Sequence, residues 1–256
     1  MKRWILDVGN TRAKWACFSA QAGVGGAPLF DVELAPANDP SLAAAWQEAV
    51  AAGDSIMVTG SGDLEPWAAA FPRAWVLRPG DPTPLKTEVH ERQTLGLDRV
   101  ANAMAVLQGG VPNLDPQGSW MVVDAGTCVT VDVVHQGLHL GGTISPGIRM
   151  RLRSMSEGTA RLPHPNLDTT TPSLNQPAVL GTCTEEALLA GACGGLSAEL
   201  VGKWESLRQE VPNLGVVLTG GDVSHLELRD IRPKFADAHL TLKGYHALFT
   251  HAHPHP

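Results

Sequence analysis

The sequence predicts an α/β protein built by duplication of one unit. Two observations carry this. Short runs of β-forming residues alternate with stretches of helical spacing along the chain. A second copy of one motif also lies about half a chain from the first: an apolar strand, Asp, one spacer, Gly, then Thr and an alternating strand. The copies are Trp4-Ile5-Leu6-Asp7-Val8-Gly9-Asn10-Thr11 and Met121-Val122-Val123-Asp124-Ala125-Gly126-Thr127, with Asp7 and Asp124 separated by 117 positions (124 − 7) in 256 residues. Lobes at 1–115 and 116–256 follow.

The elements read in order as follows. Residues 2–18 form a first hairpin, and Gln21 to Pro28 a Gly- and Ala-rich loop before a strand at Phe30–Leu34. Asp39 followed by Pro40 is a helix start, because a capping carboxylate precedes a proline whose missing N–H costs nothing there. The helix runs Ser41 to Ala52, and a strand follows at Ser55–Val58. Thr59-Gly60-Ser61-Gly62 reads as a structural turn, Asp63–Phe71 as a short helix and Ala74–Leu77 as a strand. Prolines 79, 82 and 84 mark a loop. The Ala-rich run Val100 to Leu107 is helical and places Asp98 and Arg99 in its first turn. After the central hairpin, His135-Gln136-Gly137 turns the chain into a strand at Leu138–Ile144. Ile148 to Met155 is a helix whose Arg149, Arg151 and Arg153 form a solvated face, and Glu157 to Gln176 is a long loop. Thr182-Cys183-Thr184-Glu185 has capping-box form and opens a helix to about Gln209. Its Gly191, Gly194 and Gly195 suggest close approach of another helix, as at a subunit interface. A strand at Gly215–Leu218 ends in Thr219-Gly220-Gly221-Asp222, where a nucleoside can lie against bare backbone. The tail with His246, His251, His253 and His255 reads as disordered.

The duplicated tips suit a phosphate chain with its cation. Glycine lets backbone N–H groups approach an anionic oxygen, threonine adds a hydroxyl donor, and aspartate offers hard oxygen ligands. One copy alone would be only a hairpin turn; the pair favours phosphate. Asp98 beside Arg99 is a favourable charge at a helix N-terminus. Taken alone that charge placement is the simpler reading; the alternative is an acceptor site in which Asp98 takes a proton from a hydroxyl and Arg99 holds a carboxylate through its planar fork.

Hydrophobic content of 43% and charged content of 18% describe an ordinary globular protein with ample core. The formal net charge of −7 argues against nonspecific binding to nucleic acid or to an anionic membrane. Cys17, Cys128, Cys183 and Cys193 include no C-x-x-C pair and read as buried thiols in a reducing compartment. The apolar N-terminal run stops at Asp7, and nothing reaches transmembrane length, so a cytoplasmic location is expected.

The assembled motifs resemble the type III pantothenate kinases of the actin/sugar-kinase/Hsp70-like superfamily. The resemblance rests on Asp7-Val8-Gly9-Asn10-Thr11, Leu95-Gly96-Leu97-Asp98-Arg99 and Asp124-Ala125-Gly126-Thr127 with Thr130 and Asp132. It continues through Gly141 to Gly147, Thr159 to Pro163 and Thr219-Gly220-Gly221, nearly the whole chain. It implies duplicated ribonuclease H-like (actin-like) domains, each a mixed sheet with flanking helices, with ATP in the inter-domain cleft. It also implies ATP-dependent phosphorylation of the 4′-hydroxyl of pantothenate, the first step of coenzyme A biosynthesis. On that pattern Asp7, Val8, Gly9, Asn10, Thr11, Arg12, Ala13 and Lys14 wrap the ATP phosphates and Thr127 contacts them. Asp124 holds a monovalent cation, potassium or ammonium, and Mg²⁺ accompanies ATP. Gly96, Leu97, Asp98 and Arg99 line the pantothenate site, with Asp98 the catalytic base and Thr184 a further substrate contact. A homodimer is implied. One departure is Val89, where the family commonly has tyrosine; neighbouring His90 is the candidate substitute. Two other readings fit the scaffold: a nucleotide-binding regulatory protein, since some relatives are described as Bvg accessory factors, and a kinase for another small hydroxy acid.

Overall fold

The structure, a computed structural model, describes residues 1–23, 25–167 and 180–254. In chain order the elements are β1 (Lys2–Val8), β2 (Arg12–Ser19), β3 (Glu33–Pro36), a 3₁₀ turn (Pro40–Leu42), α1 (Ala43–Glu48), β4 (Ser55–Gly60), α2 (Glu65–Ala70) and β5 (Trp75–Val76). A 3₁₀ turn at Arg92–Thr94 precedes α3 (Leu97–Leu107), followed by β6 (Ser119–Ala125), β7 (Cys128–His135), β8 (Leu138–Pro146) and α4 (Ile148–Glu157). Then come α5 (Thr184–Leu189), a π-helical segment (Ala190–Gly194), α6 (Gly195–Glu210), β9 (Gly215–Thr219), β10 (Lys234–Ala236) and α7 (Leu240–Ala252).

The first sheet has the order β3-β2-β1-β4-β5 and the second β10-β9-β6-β7-β8. Both are mixed: β1 pairs antiparallel with β2 and parallel with β4, while β9 runs parallel to both β6 and β10 and β6 joins its neighbour β7 through a two-residue hairpin turn. By packing, one unit holds Met1–Gly118, Val134–Gly141 and His239–Pro256, and the other Ser119–Val133 and Gly142–Ala238. The first packing unit includes residues 116–118, 134–141 and 239–256, which the sequence division after residue 115 places in the second lobe.

In the first unit, alternation sends Trp4, Leu6 and Val8 of β1 and Ala13, Trp15 and Cys17 of β2 to one face. There they bury against Trp46 of α1 and Trp67 of α2. The indoles stack in a column, with centroids 5.0 Å apart for Trp4–Trp15, 5.5 Å for Trp15–Trp46 and 5.5 Å for Trp46–Trp67. Trp4, Trp46 and Trp67 donate their indole N–H to Asp54, Glu33 and the Ala37 carbonyl. The opposite face meets α7: Phe18 stacks on His246 at 4.7 Å, and the Arg3 guanidinium donates to Thr250 Oγ1 at 2.6 Å.

The C-terminal tail is therefore not disordered as expected. Leu240 to Phe249 are buried without a break, and α7 lies against α3, with Thr241 Oγ1 donating to Asn102 Oδ1 at 2.9 Å. His253 packs edge-on to Trp75, and His255 lies outside the described residues. His246 is fully buried, and burial, with the Arg3 charge beside it, pushes its pKa from 6.5 down to about 4. A base whose folded pKa lies below its unfolded one binds its proton more readily when unfolded. The stability of its neutral form is therefore complete above pH 6.5 and lost as pH falls towards 4. The expected result is a wild-type stability loss between pH 7 and 4 on the order of 3 kcal/mol larger than that of His246→Phe, measured by denaturant melts across that range.

In the second unit, Met121 and Val123 of β6, Val129, Val131 and Val133 of β7 and Val216 and Leu218 of β9 form one apolar cluster. It includes Ile148 and Leu152 of α4 and Leu196 and Leu200 of α6. The long helix expected from Thr184 is interrupted by the π-helical segment. A Cβ added to Gly191 or Gly195 would meet nothing within 4 Å among the described residues, so nothing described requires glycine there.

Other sequence expectations shift. The strand expected at Phe30–Leu34 forms at Glu33–Pro36, leaving Phe30 55% exposed. Asp39 caps a 3₁₀ turn rather than an α-helix, accepting the Ser41 N–H at 3.0 Å. The cap before α5 uses Glu186, not Glu185: its carboxylate accepts from the Thr182 N–H and hydroxyl, which hold its pKa below the usual carboxylate value. All four cysteines are free, but only Cys17 and Cys193 are buried, and burial pushes each thiol to about 11. Cys128 and Cys183 are exposed, because one opens a strand at a hairpin tip and the other precedes a helix. The arginine face of α4 is partly engaged: Arg151 pairs with Glu199 at 2.5 Å and Arg149 lies 3.7 Å from Asp222. Residues 168–176 of the expected long loop lie outside the described residues.

Candidate active site

Three constructions hold the residues singled out by the sequence. The first is the β1–β2 tip. Asp7 and Lys14 face each other in antiparallel register, with Lys14 Nζ 3.5 Å from Asp7 Oδ2. The Gly9 N–H donates to the Arg12 carbonyl at 2.9 Å and closes the tip, leaving Asn10, Thr11 and Arg12 exposed. Val8 and Ala13 are fully buried, so neither presents any surface, and the tip offers a ligand residues 9–12. Asp7 is itself 6% exposed and lies in parallel register with Thr59 of β4.

The β6–β7 tip repeats this plan in the second unit. The Gly126 N–H donates to the Cys128 carbonyl at 3.1 Å, Thr127 is exposed, and Asp124 is half-buried in parallel register with Thr219 of β9. Gly220 has φ +100 and a Cβ there would lie 2.4 Å from the Ala125 carbonyl oxygen, so the backbones meet where only glycine fits. The first unit has the same device: Gly60 has φ +134, and its Cβ would lie 2.2 Å from the Val8 oxygen. Residues 59–62, read from sequence as a plain structural turn, are thus the counterpart of Thr219-Gly220-Gly221-Asp222. The Gly62 N–H donates to Val8 and the Asp222 N–H to Ala125, at 2.8 and 3.0 Å. The repeated Thr-Gly pair was the signal that could have found it.

The third construction is the start of α3. Gly96 caps the helix, and its carbonyl accepts the Val100 N–H. Asp98 and Arg99 are half-buried in the first turn, and Asp98 Oδ1 accepts the Arg99 N–H at 2.9 Å. A Cβ on Gly96 would lie 2.6 Å from that same oxygen, so glycine leaves room for the carboxylate to fold over the helix end. Leu97 points into the core at 2% exposure. Thr184 is exposed at the first position of α5. His90, the candidate substitute for tyrosine, is exposed, whereas Val89 is half-buried.

Asp124, the residue expected to hold a cation, is a half-buried carboxylate near the end of β6. No group of three His, Cys, Asp or Glu able to hold a metal occurs among the described residues.

The family model for type III pantothenate kinase matches residues 4–205. The chain belongs to that family. A type III pantothenate kinase of Bacteroides fragilis is 32% identical over 254 residues, covering 96% of this chain and 97% of that one. One of Christiangramia forsetii is 35% identical over 162 residues, and the match spans 63% of this chain but only 62% of that relative. Among solved structures, a Campylobacter jejuni protein described as a Baf family transcriptional activator superposes with TM-score 0.60 at 20% identity, over 97% of this chain and 98% of that one. An inorganic polyphosphate/ATP-glucomannokinase from an Arthrobacter strain gives 0.50 at 16% identity, covering 99% of each chain. These similarities show the fold: duplicated actin-like α/β units, each a mixed sheet with flanking helices. No helix among the described residues is long and apolar enough to cross a membrane.

Proposed function

We propose that this protein transfers the γ-phosphoryl group of ATP to the 4′-hydroxyl of pantothenate, opening coenzyme A synthesis, and acts in the cytoplasm as a homodimer. The observation that carries the reading is Asp98 and Arg99 together on the first turn of α3, inside a chain of this family. Asp98 accepts the hydroxyl proton while the substrate oxygen bonds to the γ-phosphorus, the β–γ bridging bond breaks and ADP leaves. Arg99 meets the pantothenate carboxylate with its fork of donors, and Thr184 adds a hydroxyl. Backbone and side chains from Asp7 to Lys14, together with Thr127, hold the phosphates. Such a site acts through alignment and charge placement, because a loose phosphoryl transition state asks for little covalent chemistry. Asp124 would hold potassium or ammonium, and Mg²⁺ arrives with ATP; both supply positive charge to the phosphates when bound.

In a coupled ADP-release assay over a panel of small hydroxy acids and sugars, release is expected only with pantothenate, and faster in potassium than in sodium. Turnover of another alcohol but not pantothenate would replace the substrate and keep the kinase. No turnover with any alcohol would favour a regulatory nucleotide-binding protein. Equal rates in the two salts would remove the cation from Asp124.

A further inference from the structure

The segment leading into α3 is tied down at one buried polar point. Leu85 and Leu95 are each 4% exposed, and between them only Thr87 is buried. Thr87 forms an isolated parallel bridge with His139 of β8, which is fully buried, and Thr87 Oγ1 lies 2.7 Å from His139 Nδ1. The same oxygen accepts the Val89 N–H at 3.1 Å, and the Thr87 carbonyl accepts from Arg92 at 3.2 Å. The His139 N–H donates to the Lys86 carbonyl at 3.0 Å and the Glu88 N–H to that of His139 at 2.9 Å.

Thr87 Oγ1 accepts the Val89 N–H and keeps one proton and one lone pair, so it meets His139 Nδ1 as donor or acceptor according to the ring's tautomer. Val89 N–H, Thr87 Oγ1 and His139 Nδ1 thus form one linked set that ties down the chain just before Gly96 to Arg99.

We infer that Thr87 and His139 are positioning residues for the acceptor substrate, holding the 86–95 segment so that the start of α3 meets pantothenate in register. The inference rests on the pantothenate kinase reading above and goes beyond it in assigning a role to two residues that touch no proposed ligand. Neither lies in the phosphate-binding tips, so the effect falls on one substrate only.

The test uses Thr87→Val, which keeps shape and removes the hydroxyl, and Thr87→Ser, which restores it. Thr87→Val is expected to raise the pantothenate KM roughly 5- to 10-fold, the scale of one or two lost hydrogen bonds. The KM for ATP and kcat should stay within about twofold, calorimetric pantothenate affinity should fall in parallel, and Thr87→Ser should return both values to wild type. His139→Asn places an amide, able to accept or to donate, near where Nδ1 was and should stay near wild type. His139→Leu should match Thr87→Val, with the double variant no worse than either. A purely structural role would instead move both KM values and kcat together, or leave Thr87→Ser no better than Thr87→Val; either result overturns the inference. Wild-type protein without pantothenate-dependent ADP release would overturn the underlying reading, and this inference with it.

Discussion

Asp98→Asn is expected to lower turnover by about 100- to 10,000-fold, the range supplied by a positioned general base, while nucleotide affinity changes less than about twofold. The substitution keeps size and can keep the Arg99 N–H contact, since the amide oxygen accepts from the position where Oδ1 now sits at 2.9 Å. Gly96 leaves that space open for either side chain. What disappears is the capacity to take the hydroxyl proton. Nucleotide binding is assigned to other elements, so nucleotide titration separates loss of chemistry from loss of fold. Retention of most of the rate would show that proton removal falls elsewhere and that Asp98 serves only the helix end.

Gly244→Ala is expected to destabilise the protein by about 3 kcal/mol or more, although alanine is the better helix former by about 1 kcal/mol. A Cβ at Gly244 would lie 1.8 Å from the Ala101 carbonyl oxygen, and the obstacle is helix backbone that cannot rotate away. α7 and α3 must separate, straining the Thr241–Asn102 hydrogen bond and the Lys243 Nζ donation to the Gly110 carbonyl. Since α3 carries Asp98 and Arg99, activity should fall with stability. The control is Gly202→Ala on α6, where a Cβ would meet nothing within 4 Å and the same exchange should be neutral or stabilising by up to about 1 kcal/mol. Thermal melts of the pair decide the matter. Equal shifts of one sign would mean that α7 is not packed on α3 in this way.

Much of the site was legible because its chemistry is local. Asp-x-Gly between two β-forming runs can do little but turn, and Gly96 ahead of Asp98, Arg99 and an Ala-rich run marks a helix start from the residues alone. The Thr59–Gly62 turn reads as merely structural in the sequence because its importance lies in register: only pairing with β1 sets Thr59 beside Asp7, as Thr219 lies beside Asp124. α7 escaped for a related reason. Burial without a break leaves no amphipathic stripe to read, and its histidines and lysine imitate a polar tail.

Residue order alone determined the α/β class, the duplicated Asp-x-Gly tips, the carboxylate–guanidinium pair at the start of a helix, and the resemblance to one kinase family. Each depends on neighbours a few positions apart, or on a pattern that the chain repeats. The tertiary structure decided what the ends of long loops and helices do: that α7 closes onto α3, that Thr87 finds His139 across 52 positions, and that His246 is stripped of water beside Phe18. Such contacts arise from packing between segments far apart in the chain, where no local propensity reports the partner.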